Sequence, residues 1–86
     1  MLFRSLRGAN FEGADLSGAD LEGAALDKAN LEKANLKKAK LRITNFKEAN
    51  LKDANLEEAD LRAASLKGAN LDGANFKNAC LYLTEK

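Results

Sequence analysis

The chain has 86 residues, 14 of them basic and 13 acidic, for a net charge of +1; it has no histidine or tryptophan and one cysteine, Cys80. That length fits one compact unit and excludes two-lobed catalytic architectures. A near-neutral balance excludes the strong field of a nucleic-acid binder or a polyanion mimic, and a lone thiol excludes an internal disulfide framework and a cysteine-ligated zinc site.

At the start of the chain, Arg4, Arg7 and Glu12 interrupt any apolar run. Neither a secretory leader nor a membrane span is expected there, and a reducing cytoplasm is the expected compartment. From Leu6 to Leu81 a Leu or Phe then stands at every fifth position, sixteen times without a gap, the phenylalanines being Phe11, Phe46 and Phe76. Ala stands two places before each of the later ones, from Ala9 to Ala79, interrupted by Thr44. We call the Leu/Phe position the centre. Asn, Asp or Ser precedes most centres, short polar side chains that hydrogen-bond nearby backbone and suit turns. Two places after the centre come Gly8, Gly13, Gly18 and Gly23, and later Gly68 and Gly73, which uses every glycine in the chain. That register is expected to accept a positive φ.

The period of five decides the backbone. A helix turns about 100° per residue, so successive centres would fall about 140° apart and form no stripe. A flat strand alternates with period two, which an odd repeat breaks, and β-branched residues are scarce. What remains is a chain that turns a corner every five residues with a large and a small apolar residue facing inward: a four-sided coil stacked on itself.

Ala-Asn-Leu-Glu-Lys at 29–33 and Ala-Asp-Leu-Ser-Gly at 14–18 resemble the pentapeptide-repeat family, consensus A(D/N)LXX, over about residues 4–83 of a single 1–86 domain. The resemblance implies an all-β fold, a right-handed quadrilateral parallel β-helix of about four coils of 20 residues, filled by a centre ladder and an Ala ladder. Ala25, Lys40 and Cys80 depart from the pattern before the centre, and Thr44 departs at the small inward site.

Charge spacing tests the coil length independently. Residues twenty apart form twelve opposite-charge pairs, among them Arg7/Asp27, Glu22/Arg42, Lys28/Glu48 and Lys40 with both Asp20 and Asp60, against three like-charge pairs. At fifteen apart the count is seven against six, and at twenty-five it is eight against five. Stacking at twenty is therefore expected, with the charges setting register and the inward leucines supplying most of the stability. The column Asn10, Asn30, Asn50 and Asn70 is expected to stack as an amide ladder.

Catalysis is not expected. Ser5, Ser17 and Ser65 have no histidine to act as base, and Glu48, Asp53 and Glu58 would ring a convex exterior rather than a cleft. Gly13 to Gly18 lacks the Lys-Ser/Thr of a phosphate loop. No cofactor, metal, small-molecule substrate, membrane or direct nucleic-acid partner is expected. Charge summed by side gives +3, −2, zero and zero, too little polarity to track phosphates. One surface stands out on the fourth side: Arg42, Ile43, Arg62, Ala63, Tyr82 and Leu83 form an apolar column with arginines beside it, a composition suited to a protein partner. The short ends carry no evident cap, so end-to-end dimerisation, or continuation in a longer chain, is expected. The reading is a non-catalytic scaffold that docks a protein partner through flat faces. One alternative is a DNA-mimicking gyrase inhibitor, which the resemblance allows but the charge disfavours; another is a truncated or consensus-like repeat segment without its own partner.

Overall fold

The structure, a computed structural model, describes residues 5–82. Each pentapeptide does the same four things in order. The residue before the centre makes a parallel bridge, the centre points inward, the next two residues turn, and Ala closes the corner. The Ala N–H donates to the centre carbonyl, as in Ala9 to Leu6 at 3.0 Å and Ala34 to Leu31 at 3.0 Å. The second turn residue carries the positive φ, where β-turns of type II favour Gly or Asn. The glycines there lie between φ +66° and +74°. Nine other residues adopt the same conformation, including Lys28, Glu48, Asp53 and Ile43 at φ 62°.

Bridges fix the circuit. They run from Ser5 with Ala25 to Asp60 with Cys80, every one parallel and every one joining residues twenty apart. Two kinds of backbone bond hold each pair of circuits together. N–H groups of one circuit donate forward, as Leu16 to the Asn35 carbonyl at 2.7 Å and Gly18 to the Lys37 carbonyl at 2.8 Å. The bridging residue of the next circuit donates back, as Asn35 to the Ala14 carbonyl at 2.8 Å. Four turns intervene in each twenty residues, as the period of five requires.

The sides differ from ordinary β-structure in one respect. Every bridge among the described residues is isolated, with no extended strand. The reason is length: of five positions two are spent on the turn, so each side contributes one paired residue per circuit. Strength comes from stacking these points vertically, not from long strands.

The interior follows the repeat. Leu26, Leu31, Leu36, Leu41, Phe46, Leu51, Leu56 and Leu61 are wholly buried, and the alanines from Ala24 to Ala64 fill the gaps between them. Each buried Leu or Phe contributes roughly 1.5–3 kcal/mol, which makes this ladder the main source of stability. Thr44 takes an Ala place and is fully buried; its Oγ1 donates to the Leu21 carbonyl at 2.8 Å, so its polarity is satisfied inside the core. The outer circuits are less covered. Leu6, Phe11, Leu16 and Leu21 on one end, and Leu71 and Phe76 on the other, are half-buried against the core. The body measures 29 × 25 × 24 Å, nearly as broad as it is tall.

Candidate protein-docking face

The polar residue before each centre has a definite task. Its side-chain oxygen accepts the N–H two residues on, as in Glu32 to Asn30 at 3.1 Å and Glu57 to Asn55 at 3.0 Å. Every Asn and Asp in that register, from Asn10 to Asn75, makes this contact. The expected amide ladder is a second, longer contact, Asn50 Nδ2 to Asn30 Oδ1 at 3.5 Å. Capping the corner is therefore the main use of these residues, because the i to i+2 geometry repeats at every turn while the stacked amides barely reach each other.

Among the charge pairs expected at twenty residues, Arg7 with Asp27 at 3.1 Å and Arg42 with Glu22 at 3.4 Å close into ion pairs. Lys40 bridges both Asp20 and Asp60 through the backbone, as its spacing requires. The Asp60 carboxylate turns elsewhere, to Arg62 two residues on, at 2.6 Å. A guanidinium on the same side reaches both carboxylate oxygens at once, which a lysine one circuit away does not.

The fourth side stacks Arg42, Ile43, Arg62, Ala63 and Tyr82 on successive circuits. Three backbone bonds stack its column: Gly23 N–H to the Arg42 carbonyl at 2.9 Å, Ile43 N–H to the Arg62 carbonyl at 3.0 Å, and Ala63 N–H to the Tyr82 carbonyl. Ile43 is 55% exposed and Tyr82 78% exposed, while Ala63 is partly covered. Leu83 lies outside the described residues. Both arginines are already engaged, Arg42 by Glu22 and Arg62 by Asp60. Hydrogen bonding by Arg62 holds the Asp60 carboxyl below the usual carboxylate range, and the same contact raises Arg62 further.

Composition alone did not reveal how unusual Ile43 is. A β-branched residue in the left-handed region is a strained outlier, and here it is also turned toward solvent. The signal was present in the register, since Ile43 occupies the place of the glycines. Glu48, Asp53 and Glu58 sit at exposed corners in the same conformation. Among the described residues no cluster of side chains is arranged to hold a metal ion. No described helix is long and apolar enough to cross a membrane.

The family profile of pentapeptide repeats matches residues 5–42 and 44–81, in eight copies. The chain belongs to the pentapeptide-repeat family. A pentapeptide repeat protein of the Arabidopsis thaliana thylakoid lumen superposes with a TM-score of 0.87 at 42% identity, over 90% of this chain and 54% of that one. The pentapeptide repeat protein Rfr23 of the cyanobacterium Cyanothece 51142 gives 0.73 at 34%, over 95% and 60%. One from Nostoc Pcc 7120 gives 0.76 at 32%, over 98% and 86%. The pentapeptide-repeat chain thus spans little more than half the length of the first two. A plasmid-mediated fluoroquinolone resistance protein, QnrB1, shares the fold at 21% identity and a TM-score of 0.54. No curated protein sequence matches the chain.

Proposed function

We propose that this pentapeptide-repeat chain is a non-catalytic scaffold, a right-handed coil of about four circuits, that docks a protein partner through its fourth side. The observation that carries the reading is Ile43, exposed and held at φ 62° where glycine is favoured. Eight other described non-glycine residues take the same conformation at this corner, so it is the exposed β-branched apolar side chain in that place that marks Ile43 as something presented to a partner. Arg42 and Arg62, oriented by Glu22 and Asp60, flank it, and Tyr82 extends the apolar surface. Aromatic, apolar and Arg side chains together make the composition of an interface centre. The partner it fits has an apolar pocket rimmed by backbone or side-chain acceptors for the guanidinium groups. Cytoplasm is the compartment we assign, on the exposed free thiol of Cys80; the relative from a thylakoid lumen makes this worth testing by localisation.

Tandem pull-down decides the matter. Proteins retained by the wild-type chain but lost from both Ile43→Asp and Arg62→Glu, and kept by Lys52→Glu on another side, support the docking face. Equal retention by all four chains removes it. The gyrase-inhibitor reading has less support, since the net charge is +1 and the resistance protein shares the fold alone. Inhibition of gyrase supercoiling by the purified chain would reverse that ranking.

A further inference from the structure

The third side of the coil carries four rows, residues 15–18, 35–38, 55–58 and 75–78, stacked by the bridges Asp15 with Asn35, Asn35 with Asn55 and Asn55 with Asn75. Its two middle rows hold opposite charges at the same two positions, Lys37 and Lys38 on one and Glu57 and Glu58 on the next. Lys38 at φ 61° and Glu58 at φ 60° share one corner geometry, so both present exposed side chains from the same edge. Lysine and glutamate stack over one another within the chain. Among the described residues, however, neither lysine closes an ion pair with either glutamate, whereas Arg7 with Asp27 and Arg42 with Glu22 do so at the same spacing.

That arrangement is complementary to its own reverse. Two copies laid face to face on this side, related by a two-fold axis along the strands between the second and third rows, meet with their rows in opposite order. Lys37 then faces Glu57 of the other copy and Lys38 faces Glu58, and the symmetry repeats both contacts. Ser17 faces Lys77 and Asp15 faces Asn75, so no like charges are opposed anywhere on the side. The same operation fails on the other three: it sets Arg7 against Lys67, Glu12 against Asp72, and Arg42 against Arg62. Sliding one copy along the third side by one row sets Lys37 on Lys37 or Glu57 on Glu57, and parallel copies lay each row against itself. Like charges brought together across an interface oppose association, so one orientation and one register remain.

We propose that two copies of this chain pair antiparallel through their third sides, with Lys37 and Lys38 of each set against Glu57 and Glu58 of the other. The contact runs along the flank of the coil, is formed by residues 15–78 and needs nothing from the ends. Four rows at about 4.8 Å on a body of 29 × 25 × 24 Å leave a footprint of roughly 400 Å² per copy, in the range of weak, reversible association. A contact that uses the same patch on both copies closes at two. Because the axis runs along the strands, the fourth sides of the two copies turn the same way and lie next to each other. The pair therefore offers Ile43 twice on one surface, although the pairing itself does not rest on the docking reading.

Sedimentation velocity of the purified chain at about 20 mM and about 500 mM salt tests this, with far-UV dichroism to check the fold of each variant. The wild-type chain should dimerise below about 1 mM at low salt and dissociate at high salt. Lys37→Glu/Lys38→Glu and Glu57→Lys/Glu58→Lys should each need at least roughly tenfold more protein to dimerise, and an equimolar mixture of the two should pair, because all four facing charges are then opposite. The chain carrying all four substitutions keeps its stacked charges within the coil. It should dimerise with itself as the wild type does and reject the wild type, whose lysines it would meet with lysines. Ile43→Asp, on the fourth side, should leave dimerisation unchanged, which separates this contact from the docking face. The proposal is overturned by a wild-type chain that stays monomeric at about 1 mM in low salt, or by growth beyond a dimer. It is equally overturned by dimerisation that neither double substitution weakens, by loss of dimers from Ile43→Asp, or by pairing of the fourfold variant with the wild type.

Discussion

Asp60 holds Arg62 three times over: Oδ1 accepts the backbone N–H at 3.2 Å and Nε at 2.8 Å, and Oδ2 accepts Nη2 at 2.6 Å. One carboxylate thus caps a corner and engages the guanidinium of the residue whose carbonyl accepts the Ile43 N–H. Asp15 does the related work for Ser17, accepting its N–H at 3.1 Å and its hydroxyl at 2.7 Å. Both carboxyls are held below the ordinary range, Asp15 by the Ser17 hydrogen bonds and Asp60 chiefly by Arg62. A lowered folded-state value means that the unfolded chain takes up protons first as the solution is acidified. Their contribution is therefore complete above about pH 4 and disappears as pH falls through the folded-state values. Urea midpoints measured between neutral and strongly acid pH should decline below about pH 4, and the Asp15→Asn/Asp60→Asn variant should decline less steeply.

Replacing Ile43 with glycine should make the protein more stable. A left-handed L-residue costs roughly 1–2 kcal/mol, and little is lost on the other side because the side chain is 55% exposed. For a chain of this size a gain of about 1 kcal/mol corresponds to a rise of roughly 4–8 °C in Tm, readable by calorimetry. The same variant should lose the docking partner, separating stability from function in one substitution. A lower Tm would show that Ile43 serves the fold.

Ala25 is one place where a cap is missing. Its side chain offers no acceptor to the N–H of Asp27, whereas Asn45 directly above it on the same side accepts from Lys47 at 2.9 Å. Ala25→Asn should supply that acceptor and stabilise by about 0.5–1 kcal/mol, by analogy with helix caps. Asn55→Ala should lose a similar amount by removing the contact to Glu57. Chemical denaturation of the pair gives both signs in one experiment.

Thr44 provides a test of the core. Thr44→Val keeps the shape and removes the hydroxyl bond to the Leu21 carbonyl, which still receives the Ala24 N–H at 2.9 Å. A loss of about 0.5–1.5 kcal/mol is expected. Thr44→Ala, although it restores the residue found in the other repeats, should cost more, since it also removes buried packing.

Much of this was legible before any coordinates, for a physical reason. A repeat of five that never slips leaves one way to bury its leucines, and the opposite charges at twenty residues measured the circuit that the bridges then showed. Chemistry at single positions was harder to read. Spacing placed Lys40 between Asp20 and Asp60, but the local reach of Arg62 took the Asp60 carboxylate, a choice of rotamer that register does not encode. The Asn column looked like a ladder because its members stack, and only the short contacts to the i+2 N–H groups showed that turn capping comes first. Ile43 was singled out as apolar on an outer side, whereas its strained backbone follows from a corner that imposes one conformation on whatever residue arrives there.

That uniform corner makes length a steering variable. Gaining or losing a single five-residue unit would leave every leucine indoors, yet it would swing all that follows by a quarter revolution, carrying the Ile43 column away from anything anchored upstream. Adding or removing units would therefore change which way the column faces, with no change to the chemistry of any one of them.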